Sequence, residues 1–130
     1  MTVDDSTISD NVANRAGGGI EFVTGIAILT NSHVDGNTSG LSGVANPGRG
    51  GGLHVSGSGG RVTIYGGTVS GNHATQSGGG LWNDGGNTMI IRNGTVIDGN
   101  SASGDDPLDG GGGIFNNGGR LVAHPTWIVG

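Results

Sequence analysis

The chain has no cysteine and no lysine, only 4% aromatic residues, and no long apolar run. Without cysteine, neither a disulfide nor a thiolate metal site can hold a fold, and the redox compartment stays open. Without lysine, ten acids stand against five arginines for a net charge of −5. Phosphate neutralisation needs clustered Lys or Arg, so a nucleic-acid partner is excluded. No segment approaches the ~18 apolar residues of a membrane span, which argues against direct membrane insertion. The N-terminus lacks the basic and apolar regions of a signal peptide, so export, where it takes place, is not encoded in this stretch. So few large side chains also leave little bulk for an ordinary globular core.

What is present is glycine, 32 of 130 residues, without the G-X-Y period of collagen. It is patterned. Four triplets, Gly17-Gly18-Gly19-Ile20, Gly50-Gly51-Gly52-Leu53, Gly78-Gly79-Gly80-Leu81 and Gly111-Gly112-Gly113-Ile114, recur every 28 to 33 residues. That is the period range of stacked solenoid coils. Between the triplets, Asn11, Asn37, Asn72 and Asn100 each close a short extended segment. Those segments run 6–11, 32–37, 67–72 and 94–100, and the last carries one extra residue, read as a bulge.

A third segment completes each turn: Ala27-Ile28-Leu29-Thr30, Val62-Thr63-Ile64-Tyr65, Met89-Ile90-Ile91-Arg92 and Leu121-Val122-Ala123-His124. Each coil then offers three short strands separated by Gly, Asn and Asp turns. Alternation assigns the faces. Ile8, Val34, Val69, Val96 and Ile128 are expected to form one inward stack, Ile20, Leu53, Leu81 and Ile114 a second, and Leu29, Ile64 and Ile91 a third. The expected fold is all-β, a right-handed parallel β-helix forming a single domain over residues 1–130. It has about three full coils plus partial end coils and no caps. Stacked coils place equivalent residues ~4.8 Å apart, so the four asparagines are expected to pass amide hydrogen bonds from coil to coil. Asn also tolerates the left-handed backbone of a sharp corner.

The run Thr68-Val69-Ser70-Gly71-Asn72, followed after a linker by Gly78-Gly79-Gly80-Leu81-Trp82-Asn83, recurs in variant form as Gly111-Gly112-Gly113-Ile114-Phe115-Asn116. This grammar resembles the right-handed parallel β-helix repeats of bacterial polymorphic outer-membrane and autotransporter-like surface proteins, over essentially the whole chain. The resemblance implies an extracellular, pectate-lyase-like solenoid used mostly for display and adhesion.

Several features compete for a functional role. Glu21, His54, Trp82 and Phe115 follow the inward aliphatics in one outward column, which suits cross-strand packing, or contact with a sugar ring or a neighbouring filament. Two linkers are long, Thr38 to Arg49 with Asn46-Pro47-Gly48, and Ser101 to Asp109 with Asp105-Asp106-Pro107. Asp105, Asp106 and Asp109 lack a complete EF-hand spacing and read as a solvated acidic loop or a Ca²⁺ site. The four histidines fall in different registers, so no metal site and no cofactor is expected. Asn37-Thr38-Ser39 and Asn93-Gly94-Thr95 match the glycosylation sequon.

The best case for catalysis, an outward column of Asp35, Ser70 and Asp98, lacks a lysine base and a flanking arginine, so the chain is not expected to be an enzyme. The outward column Ile28, Thr63, Ile90 and Val122 is flat enough for ice binding, but Arg61, Tyr65, Arg92, Arg120 and His124 flank it. The chain begins near Thr7-Ile8-Ser9 and stops at Trp127-Ile128, equivalent strands without a blunting device, and these residues are the expected end-to-end contacts. The expectation is therefore a secreted or cell-surface structural protein whose protomers stack head to tail into a filament. An adhesin-type module of a longer surface solenoid is the alternative. Ice binding and glycan binding or cleavage are further alternatives, and surface glycans a further partner.

Overall fold

Short runs of β-branched and aliphatic residues between Gly, Asn and Asp leave room only for strands of a few residues. The computed structural model, which describes residues 1–41 and 48–130, is all-β, with no helix among the described residues. The expected Asn46-Pro47 turn lies outside them. In chain order the strands are β1 (Thr2–Asp4), β2 (Thr7–Ser9), β3 (Val12–Ala13), β4 (Ile20–Phe22), β5 (Ile26–Thr30), β6 (His33–Asp35), β7 (Thr38–Ser39) and β8 (Leu53–Val55). They continue as β9 (Arg61–Tyr65), β10 (Thr68–Ser70), β11 (His73–Ala74), β12 (Leu81–Asp84), β13 (Thr88–Asp98), β14 (Ser101–Ala102), β15 (Ile114–Asn117) and β16 (Arg120–Val129).

Every strand pairs in parallel with its equivalent one repeat away, so the chain is a parallel β-solenoid. Counted from triplet to triplet, three coils are complete and partial coils lie at either end. One large sheet holds β1, β5, β9, β13 and β16 beside β2, β6 and β10, because β13 and β16 run on through the corner that divides the others. A second sheet is β4-β8-β12-β15. The three expected segments are joined by a fourth, since β3-β7-β11-β14 add a two-residue pairing directly after each corner asparagine.

The inward stacks fall in register: Ile20, Leu53, Leu81 and Ile114 in one, Leu29, Ile64 and Ile91 in another. The third contains one correction. Val69 pairs with Ile97, not Val96, and Ile97 in turn with Ile128. Ile97 is fully buried, while Val96 lies outward between Thr68 and Trp127. The extra residue of this repeat is accommodated within β13, at the corner formed by Asn93 and Gly94, whose φ values are 59° and 70°. The register shift against β16 lies between Arg92 and Thr95. Thr95 closes this bulge by donating to the carbonyls of Arg92 at 2.8 Å and Gly66 at 3.3 Å.

A second correction concerns the asparagine corner. The left-handed residue there is the one before each asparagine, Asp10 (57°), Gly36 (65°), Gly71 (60°) and Gly99 (59°). The asparagine itself is left free to use its side chain.

Candidate functional site

The corner asparagines form one continuous ladder. Asn11 Nδ2 donates to Asn37 Oδ1 at 2.9 Å, Asn37 Nδ2 to Asn72 Oδ1 at 3.0 Å, and Asn72 Nδ2 to Asn100 Oδ1 at 2.9 Å. Each Oδ1 also accepts the backbone N–H of the preceding asparagine, at 2.9 to 3.1 Å. The second Nδ2 hydrogen of Asn37, Asn72 and Asn100 reaches down to the carbonyl of Ile8, Val34 and Val69. Asn37 and Asn72 are fully buried, so all four amide functions are satisfied away from water.

The glycine triplets are the other wall of this ladder. A Cβ on the third glycine, Gly19, Gly52 or Gly80, would press on the amide of Asn37, Asn72 or Asn100. A Cβ on the second, Gly51 or Gly79, would overlap carbonyl oxygens of the coil above and of the opposite strand. The two sequence markers are therefore one packing layer, too thin for any side chain on the glycine side.

Beyond the triplets, the outward column is a stack of rings. His54 and Trp82 lie 5.9 Å apart at 29°, and Trp82 and Phe115 lie 4.6 Å apart at 13°. Because the rings face one another along the coil axis, their faces are largely used up within the stack, and Trp82 is only 3% exposed. The guanidinium of Arg49 lies 4.7 Å over Trp82, with its Nε donating to Gln76 Oε1 at 2.9 Å. At the start of the column, Glu21 Oε1 bonds His54 Nδ1 at 3.2 Å and accepts Ser56 Oγ at 3.0 Å. Burial lowers the His54 pKa from 6.5, against the opposing pull of Glu21. The ion pair alone would raise it, but His54 is 5% exposed while the Glu21 side chain is 34% exposed and keeps water to screen its charge.

Two clefts flank Arg49. One, of about 340 Å³, runs between Arg49, Trp82 and Phe115 and the loop carrying Asp106, Leu108 and Asp109. The other, of about 160 Å³, is lined by Arg15, Ala16, Arg49, His54, Ser56 and Asp84.

The remaining candidates are placed as follows. Asp35 and Ser70 come together, with Asp35 Oδ1 accepting Ser70 Oγ at 2.6 Å and Thr68 Oγ1 at 3.0 Å, while Asp98 continues the column one coil on. Neither cleft touches this column. Asp106 accepts the Leu108 N–H, Asp109 lies 3.4 Å from Ser77 Oγ, and no group of three or more His, Asp or Glu among the described residues is placed to hold a metal ion. On the ice-binding column, Thr63 and Ile90 are buried, whereas Ile28 is partly exposed, so the array presented to solvent is uneven. Of the two sequon asparagines, Asn37 is buried in the ladder and Asn93 is exposed at the bulge. At the ends, Thr7, Ile8 and Ser9 pair with His33, Val34 and Asp35, while Trp127 and Ile128 pair with Val96 and Ile97.

Two polar features escaped the sequence reading. Asn83 and Asn116 occupy inward positions of the second sheet, where Asn83 Nδ2 donates to Asn116 Oδ1 at 2.7 Å. Asn87, buried in the corner after β12, donates to the carbonyls of Gly57 and Asp84 and accepts Gly60 N–H. For the first pair the signal was present, an Asn in β12 and β15 at the position where β4 and β8 carry Phe22 and Val55.

No family model matches the chain, and no curated protein or solved structure is significantly similar to it.

Proposed function

We propose that this chain is a non-enzymatic structural β-solenoid, secreted or held at a cell surface, whose coils are extended end to end by parallel strand addition from a second copy. The observation that carries this reading is the aliphatic stack of the large sheet. Ile97 is fully buried by the coils on either side, whereas Ile128, next in the same column, is 57% exposed, beside Trp127 at 66%. An inward-register aliphatic, left uncovered next to unpaired backbone groups, favours a further coil. The resemblance to polymorphic outer-membrane and autotransporter-like repeats supports the extracellular setting.

The register follows from the observed pairings. Val3 of one copy stacks over Ala123 of the other, Thr7 over Trp127, Ile8 over Ile128 and Ser9 over Val129. The large sheet then gains five strand levels per protomer, an axial repeat of about 24 Å at the strand spacing. The β3 and β4 columns hold only four levels, so this joint leaves one level vacant on the glycine and asparagine side. That vacancy favours a second reading, in which these coils are an adhesin-type module of a longer surface solenoid and another half-coil fills the level.

Electron microscopy and sedimentation of the purified chain over a hundredfold concentration range test the first reading. Concentration-dependent filaments, lost in Ile8→Asp and Ile128→Asp, support it. Monodisperse particles of one chain throughout would overturn it in favour of the module.

A further inference from the structure

Arg15 and Arg49 stand on successive coils at the corner before the second sheet, where the Arg49 N–H donates to the Arg15 carbonyl at 3.1 Å. Both side chains line the cleft of about 160 Å³ above His54. Arg49 is held by Gln76 at its Nε and lies over the Trp82 ring, and neither contact uses its two terminal nitrogens for a hydrogen bond. Neither guanidinium has a carboxylate within 4.0 Å among the described residues, and residues 42–47 contain no acid. The same holds for Arg61, Arg92 and Arg120, and what sets Arg15 and Arg49 apart is that both line one cleft. The acids nearby each engage one oxygen elsewhere: Glu21 Oε1 takes His54 and Ser56, and Asp84 Oδ1 takes the Gly85 N–H and Asn117 Nδ2.

Two guanidinium groups in one cleft repel each other unless an anion lies between them, and a fixed guanidinium presents paired donors that match an oxyanion. Asp84 on the same wall tempers the field, so the cleft suits a single negative charge better than two. We propose that the Arg15 and Arg49 cleft is a binding site for a monoanionic oxyanion, a carboxylate or sulfate ester carried by an acidic ligand. The site lies on the side of the solenoid and is independent of end-to-end stacking. Its affinity falls as salt rises, because Arg15 is exposed.

The test is a ¹⁵N chemical-shift titration of the whole chain at low salt with four probes that share one scaffold: glucose, glucuronate, glucose 6-sulfate and glucose 6-phosphate. Glucuronate and the sulfate are expected to shift Arg15, Arg49 and the Trp82 indole N–H. Glucose should shift none of them, and the phosphate should bind more weakly than the sulfate. Arg15→Gln removes an exposed side chain that makes no hydrogen bond among the described residues, so the fold is expected to stay intact, and it should weaken glucuronate binding at least tenfold. Arg61→Gln, on the large sheet, should leave binding unchanged. Equal shifts with glucose and glucuronate, undiminished binding in Arg15→Gln, or no shift with either monoanion would each overturn the proposal.

Discussion

The two sides of this solenoid are held by different physics. On the large sheet, Leu29, Ile64 and Ile91 stack beside Val34, Val69 and Ile97, all buried, and each such side chain contributes roughly 1.5–3 kcal/mol of transfer free energy. On the opposite side no aliphatic fills the space between triplet and corner. Glycine α-carbons lie directly on a ladder of asparagine amides. Aliphatic cores accept volume-conserving swaps. A glycine layer closed by backbone carbonyls accepts no added atom, and an amide that both donates and accepts along the axis has no isostere among the other short side chains.

The comparison breaks most sharply at the second glycine. A Cβ on Gly79 would overlap the carbonyl oxygens of Ser101 and Gly112, backbone atoms that cannot turn aside. Gly79→Ala is therefore expected to destabilise by about 3 kcal/mol or more, seen as a lowered thermal midpoint by circular dichroism or as failure to fold. Gly85→Ala is the control. Its nearest neighbour is the Asn117 carbonyl at 3.6 Å, an ordinary contact, and the change is expected to stay within about 0.5 kcal/mol. Equal losses at the two positions would mean that glycine matters here for chain entropy and not for the closeness of the layer.

Asn72→Ala comes next. It takes the acceptor from the Asn37 N–H and from one Asn37 Nδ2 hydrogen, and a donor from the Val34 carbonyl and from Asn100 Oδ1, and is expected to remove on the order of 3 kcal/mol in denaturant unfolding. Asn72→Asp should not rescue it, because a carboxylate has no hydrogen to give to Val34 or Asn100. On the aliphatic side, Ile97→Ala is expected to lose about 2–4 kcal/mol, while Val96→Ala, one residue away but outward, loses under about 1 kcal/mol. A reversed order would restore the register read from the sequence.

That register shows what the sequence could and could not convey. Triplets, corner asparagines and aliphatic alternation located the stacks, because a solenoid repeats the same local solution in each coil. Val96 was misplaced because the segment was counted forward from Gly94, while the ladder at Asn100 fixes the strand from its far end and leaves the extra residue in the corner. The pairing of triplet with ladder was hidden for another reason. Gly80 and Asn100 lie 20 residues apart along the chain and meet only when the coil closes. The outward ring column was legible as a column, but its usefulness to a ligand was not, since only coordinates show that the ring faces turn toward each other. Arg15 and Arg49 carried no sequence signal at all. They matter because the coils bring both to one cleft with no carboxylate in ion-pair contact, which is a property of the packing.

The smallest expected effect lies on the glycine side, at its buried histidine. Burial lowers the His54 pKa below 6.5 in the folded chain, against the partial offset from Glu21, so the unfolded chain takes up this proton first as pH falls. The stability that follows from keeping His54 neutral is fully present above about pH 6.5. It declines as pH drops from there toward the folded value, and levels off below it. Thermal midpoints measured from pH 8 to 5 should therefore show a decline that His54→Phe reduces, since phenylalanine keeps the stack on Trp82 and has no proton to take up. If the wild-type chain lost less stability than His54→Phe as pH fell, the pair with Glu21 would outweigh burial. The ring column would then carry a positive charge beside Arg49 instead of a neutral ring.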